Sequence, residues 1–253
     1  MEFNTIAKQF LYATVRIEAD KPTGTESGTG FIFSQKSEDE DYLFIVTSKQ
    51  ICQSASEGRL GFIKKQGEGP DDNRFDLSIS DFGDAWITHP DPDIDVAVMP
   101  LVPILDYLFE EDVEIFFTSI SSENALGEEK ISSRDVIEDV VFYSYSVDWY
   151  DRNNYLPVIH KGITATPLFI DYCAKKSFLI DAPGLPGSSG SPVFLVEQEP
   201  YPKLNGVGFR KRLYLLGLIT APDDRKTSDL GLVCKASVIS ETCLQALGGL
   251  KAA

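Results

Sequence analysis

Along this chain apolar residues recur at every second position in short bursts, and turn residues close each burst. That alternation predicts strands over 11–18, 28–34, 42–47, 59–64, 74–80 and 95–100 in a first half. A second half carries strands over 113–118, 140–146, 162–166, 177–180, 192–196, 213–220 and 232–236. Residues 101–112 read as the connector, and 121–137 and 197–212 as polar surface loops. The acidic run Glu38-Asp39-Glu40-Asp41 reads as a hairpin tip. Helical periodicity is convincing only over 237–247, with Ser237 or Ser240 as a cap, while 4–11 is a short helical lead-in. Many short strands without strand–helix alternation place the chain in the all-β class, with antiparallel barrels as the expected architecture.

Composition narrows the function classes. At 253 residues the chain can bury a sizeable core, and its 43% hydrophobic and 25% charged content is that of an ordinary globular protein. A net charge of −16 argues against a nucleic-acid-binding face, which needs clustered Lys and Arg. No run approaches a membrane span, and the first residues lack the basic start and apolar stretch of a signal peptide, so a cytoplasmic protein is expected. Cys52, Cys173, Cys234 and Cys243 have no metal-ligand spacing, so they read as reduced cysteines. No metal and no cofactor are expected.

Candidate chemistry begins with Gly187-Ser188-Ser189-Gly190-Ser191-Pro192, a run of small residues before the apolar strand Val193-Phe194-Leu195-Val196. Small residues let a backbone turn sharply, projecting a hydroxyl while neighbouring N–H groups converge on one point. The same run also suits a plain turn. Upstream stand Gly28-Thr29-Gly30-Phe31, then Val46-Thr47-Ser48-Lys49-Gln50, then Asp95-Val96-Ala97-Val98.

In that order these motifs resemble the trypsin/chymotrypsin-like serine peptidases, particularly their compact bacterial members, over about residues 11 to 240. The resemblance implies two antiparallel six-stranded barrels with a cleft between them and a C-terminal helix. The halves are expected at 1–105 and 106–253. It implies Ser189 as nucleophile, Asp95 as orienting carboxylate, and the N–H groups of Gly187 and Ser189 as oxyanion hole. Asp95 on its own also reads as a strand-start aspartate, with Asp93 solvated. Ser188 stands where secreted relatives carry an aspartate, which implies no activation by cleavage. Pro183 falls at the floor of the primary pocket, and Thr220, Ala221 and Pro222 along the wall that pairs with substrate. Neither supplies a buried carboxylate, so a small or apolar side chain is expected there. Pro222 also lacks an N–H for backbone pairing. His160 is expected on a strand lining the cleft.

One position departs from the family pattern. Where it places the catalytic histidine, this chain has Gln50. A neutral amide donates and accepts hydrogen bonds but takes no proton near pH 7. His89 sits in a His-Pro turn, His160 falls on the strand that lines the substrate cleft and Lys49 points away from its neighbour, so none is expected to replace the base. The function read from sequence is therefore a serine endopeptidase domain inactive in this form. The alternative is a pseudopeptidase that binds peptide or protein segments in the cleft. Whether Gln50 reflects natural loss or substitution stays open.

Overall fold

The computed structural model describes residues 5–147, 149–182, 186–203, 206–220 and 230–252. A short helix, α1 (Ile6–Phe10), leads into β1 (Thr14–Lys21), β2 (Gly24–Ser37) and β3 (Glu40–Thr47). The chain then forms α2 (Lys49–Cys52), β4 (Glu57–Gln66), β5 (Gly69–Ser80), β6 (Ile87–Thr88) and β7 (Ala97–Pro100). After α3 (Val102–Glu110) come β8 (Ile120–Ser121), α4 (Glu128–Ser132), β9 (Asp139–Ser144), β10 (Val158–Thr164) and β11 (Ser177–Asp181). Last are β12 (Pro192–Lys203), β13 (Gly206–Thr220), β14 (Leu230–Lys235) and α5 (Ala236–Ala252).

The first sheet runs β5-β4-β1-β2-β3-β7-β6, and β8 adds to β2 in parallel. The second closes on itself as β10-β11-β14-β13-β12-β9. The all-β, two-barrel reading with a C-terminal helix is borne out. Six full strands make the first sheet, and β6 and β8 are two-residue additions to it. Residues 120–121 thus pair with the first sheet.

Alternation was a good guide where one strand face is buried. In β1, Val15, Ile17 and Ala19 are buried and alternate with less buried Arg16 and Glu18. Glu38 and Asp39 form the β2–β3 tip as expected, Glu38 in the left-handed region at φ 57°.

Four segments differ from the sequence reading. The 101–112 connector contains α3, where Ile104 and Leu108, one turn apart, bury against the first core while Tyr107 and Phe109 face outward. Residues 113–118 form no strand beyond a single bridge from Ile115 to Lys64. The 197–212 stretch is not a loop but the outer half of the β12–β13 hairpin. There Glu199 bonds Arg210 and Arg212 at 3.2 and 2.8 Å, so charges that suggested a loop are cross-strand pairs. The expected loop 121–137 contains α4.

Separate cores fill the halves, and a third joins them. The joining core stacks Phe10 on Phe194 with ring centroids 4.8 Å apart. It also seats Val238, Ile239, Cys243, Ala246 and Leu247 of α5 against Phe31, Phe33, Val46 and Val98. Burying side chains of this size contributes roughly 1.5–3 kcal/mol each. The C-terminal helix is thus a clamp across both halves.

Candidate functional site

The candidate site is built on the seam between halves, from the end of β3, the start of β7 and the turn before β12. Strand β3 ends at Thr47, and Ser48 begins the single helical turn α2 that carries Gln50. A four-residue helix cannot satisfy its first N–H groups internally. Asp95 does so from the β6–β7 connection: its Oδ1 accepts the Gln50 N–H at 2.9 Å, and its Oδ2 accepts the Ser48 hydroxyl at 2.6 Å. Structure therefore joins Gln50 to Asp95 through the backbone, and the Gln50 side chain is exposed.

The Ser189 turn is clamped from both halves. Thr29, fully buried in β2, donates its N–H to the Ser189 carbonyl at 3.0 Å. Its hydroxyl donates to the Gly187 carbonyl at 3.0 Å and accepts the Tyr145 N–H at 2.8 Å. Its own carbonyl accepts the Thr47 hydroxyl at 2.8 Å. One side chain and its peptide groups thus tie the turn to the strand leading to Gln50. Gly190 N–H donates to Ile219 at 2.7 Å, and Ile219 N–H returns to Ser191 at 2.9 Å, fixing the turn to β13.

Two glycines are demanded by geometry. Gly187 sits at φ +91°, and a Cβ there would lie 2.7 Å from the Tyr145 carbonyl. Gly190 sits at φ +84°, where a Cβ would come within 2.4 Å of Thr47 Oγ1 and closer still to the Thr29 carbonyl. Both conformations are ones L-residues avoid, and both spaces are full.

The peptide planes of the turn are held as well. Val147 N–H donates to the Pro186 carbonyl, and Ser191 N–H to the Ser188 carbonyl, each at 3.0 Å. In a trans peptide the C=O and the following N–H point in opposite directions, so each bond fixes the next N–H. Those are the N–H groups of Gly187 and Ser189. Neither has a hydrogen-bond partner among the described residues.

The other titratable groups are occupied elsewhere. Lys49 Nζ donates to the Pro92 carbonyl at 2.7 Å, while Lys21 donates to the Gln50 carbonyl and pairs with Glu26 at 2.6 Å. His89 is buried, its Nδ1 accepting the Asp91 N–H at 3.0 Å. His160 Nε2 lies 2.9 Å from Ser144 Oγ, with its ring stacked on Phe142 at 4.7 Å. Burial lowers its pKa from the ordinary value. That places His160 beside Ser144 and Ser146, the segment that leads to Val147, and its described contacts include neither Gln50 nor Asp95. Cys52, two residues past Gln50, is no substitute nucleophile, because burial pushes its thiol up to about 12.

Thr220 shares with Gln50 and Asp95 a cleft of about 210 Å³. Pro183, Ala221 and Pro222 lie outside the described residues. No group of three or more potential metal ligands occurs among the described residues, and no described helix is long and apolar enough to cross a membrane.

Sequence reasoning missed Thr29, Ser48 and Val147. Thr29 and Ser48 stood inside the quoted motifs, yet nothing in a linear pattern marks which hydroxyl bridges two distant segments. Val147 contributes only a backbone N–H, for which no residue type is a signal.

The sequence matches no family model and no curated protein. Solved structures do match. The active form of the Rv3671c protease from M. tuberculosis is 14% identical over 94% of this chain and 82% of its own, with a TM-score of 0.51. An HtrA-type protease, AlgW with tripeptide, is 14% identical over 93% of this chain and 60% of its own, at 0.51. Catalytically active tobacco etch virus protease complexed with product is 11% identical over 93% of this chain and 77% of its own, at 0.50. At such identities the likeness is one of architecture: this chain has the fold of the trypsin-like serine proteases.

Proposed function

We propose that the crevice between the two halves accepts an extended peptide, with Ser189 at the nucleophile position and Asp95 and Gln50 beside it. The observation that carries this reading is the held turn, in which two unpartnered N–H groups flank the Ser189 carbon skeleton while their carbonyl partners are pinned. Such an arrangement suits an oxygen that becomes negative during acyl transfer. Nothing about an ordinary loop requires it.

The same chemistry sets the limit. Attack by Ser189 requires a group that takes the hydroxyl proton, and Gln50 takes none. Removing the base from comparable sites costs about 10⁶-fold in turnover. The protein with Gln50 is therefore a serine endopeptidase scaffold without appreciable peptidase turnover. A second reading, a pseudopeptidase that retains peptide or protein segments without cutting them, is favoured by one observation. Asp95 has a structural duty, capping α2, that remains useful without catalysis.

A fluorophosphonate probe with mass-spectrometric site mapping separates these. Gln50→His is expected to label at Ser189 and to cleave peptides, with the parent slower by several orders of magnitude. Equal labelling of parent and variant would remove Gln50 as the deficit. No labelling of either would remove Ser189 as a nucleophile and leave the binding reading.

A further inference from the structure

Beyond the second barrel, β12 and β13 run on together as a two-stranded arm. Strand β9 leaves β12 at Leu195, and β14 pairs with β13 only from Gly217. Both outer edges of the arm therefore lack a neighbouring strand among the described residues. In an antiparallel ladder alternate residues turn their N–H and C=O toward the partner strand, and those between turn them away. Leu215 is of the second kind, because its carbonyl accepts the Leu126 N–H at 3.1 Å. In steps of two outward along the unbroken register, Lys211, Phe209 and Val207 also face away from β12. Their partners Gln198, Pro200 and Pro202 face away from β13. The two edges thus differ. Two prolines strip N–H donors from the β12 edge, which closes it to a further strand. The β13 edge has no proline, and it carries Val207 and Phe209, each 66% exposed.

Charge decides what kind of strand suits the open edge. Residues 197–212 hold four basic residues against two acidic ones, in a chain of net charge −16. Arg210-Lys211-Arg212 is the longest basic run in the sequence. One carboxylate, Glu199, serves both arginines, and Lys211 is exposed with no ion pair among the described residues. We infer that the β13 edge from Val207 to Arg212 docks an extended segment of another protein, adding it to the arm as a third strand. The segment is apolar beside Val207 and Phe209 and acidic beside residues 210–212. A second copy of this chain suits the edge less well, because it brings a second basic run to the same short ladder and a second body of the same net charge. The docking edge lies at the opposite end of β12 and β13 from the Ser189 turn, so it is separate from the crevice.

The test uses the full chain and the fluorescein-labelled peptide Thr-Glu-Glu-Glu-Val-Thr-Val-Thr, read by fluorescence anisotropy. Antiparallel pairing sets its valines opposite Phe209 and Val207 and its glutamates opposite residues 210–212. Exchanging the glutamates for lysines should weaken binding by about ten-fold. N-methylation of both valines keeps every side chain and removes the two donors aimed at the edge. It should weaken binding by about thirty-fold, the worth of two hydrogen bonds. Phe209→Pro closes this edge as Pro200 closes the other and should abolish binding. Lys211→Glu, wholly on the surface, should shrink the margin between the Glu and Lys peptides several-fold, so the result does not hang on the proline variant folding. Equal binding of the N-methylated peptide overturns the added strand. So does binding that neither arm variant changes, or no binding by the parent. Self-association of the parent in sedimentation equilibrium, or its pelleting with phosphatidylserine vesicles, gives the edge another occupant if Phe209→Pro removes it, and overturns the acidic segment.

Discussion

The turn around Ser189 and the segment around Gln50 face each other across the seam, and they are built to different degrees. The turn is complete: its carbonyls are pinned, the N–H groups of Gly187 and Ser189 have no partner among the described residues, and its glycines fill spaces that admit no Cβ. The Gln50 segment is complete only in its backbone, held by Asp95 and by the end of β3. Its side chain is exposed and lacks a proton acceptor of useful strength. A scaffold and its chemistry are therefore separable. Asp95 and Gly190 contribute to folding, so their presence beside Gln50 does not by itself report activity.

The sharpest way to break the turn is Gly190→Ala. Its Cβ meets Thr47 and the Thr29 carbonyl at a φ of +84°, so strain and overpacking together should cost about 3 kcal/mol or more. Urea denaturation checks this, and a variant of unchanged midpoint would show that the two segments are not packed as described. Thr29→Val comes next. Removing the hydroxyl leaves the Tyr145 N–H and Gly187 carbonyl unpaired, at about 1–3 kcal/mol, and Thr29→Ser should recover most of the loss. If Val and Ser behave alike, the hydroxyl is not the tie.

On the other side of the seam, Asp95→Asn should destabilise the chain by about 1 kcal/mol, because α2 loses its charged cap. An unchanged melting temperature would show that this cap adds nothing to stability. The smallest effect concerns His160. Burial lowers its pKa in the folded protein, so the unfolded chain binds the proton more readily below its ordinary value near 6.5. Its contribution is fully present above about pH 7 and lost as pH falls through the unfolded and then the folded pKa. His160→Gln should flatten that part of the stability profile; an unaltered slope in pH titration of stability would exclude His160 as its source.

Strand positions were legible because burying one face imposes a period of two, as in Val15, Ile17 and Ala19. The C-terminal helix was legible for the same reason at a longer period, although it runs on to Ala252. Helix α3 was not, because Pro103 near its start reads as a turn signal until Ile104 and Leu108 are seen to share a buried face. The outer β12–β13 hairpin was missed because Glu199, Arg210 and Arg212 look like a polar loop when their cross-strand pairing is unknown.

By itself the amino-acid order determined the all-β class, the glycines of the Ser189 turn and the neutral amide at Gln50, since each is a property of local pattern or residue type. Only the tertiary structure decided that Asp95 caps a helix and that Thr29 joins the two segments. Those are facts about neighbours brought together from opposite halves of the chain, and a hydrogen bond depends on distance and direction that a linear order does not carry.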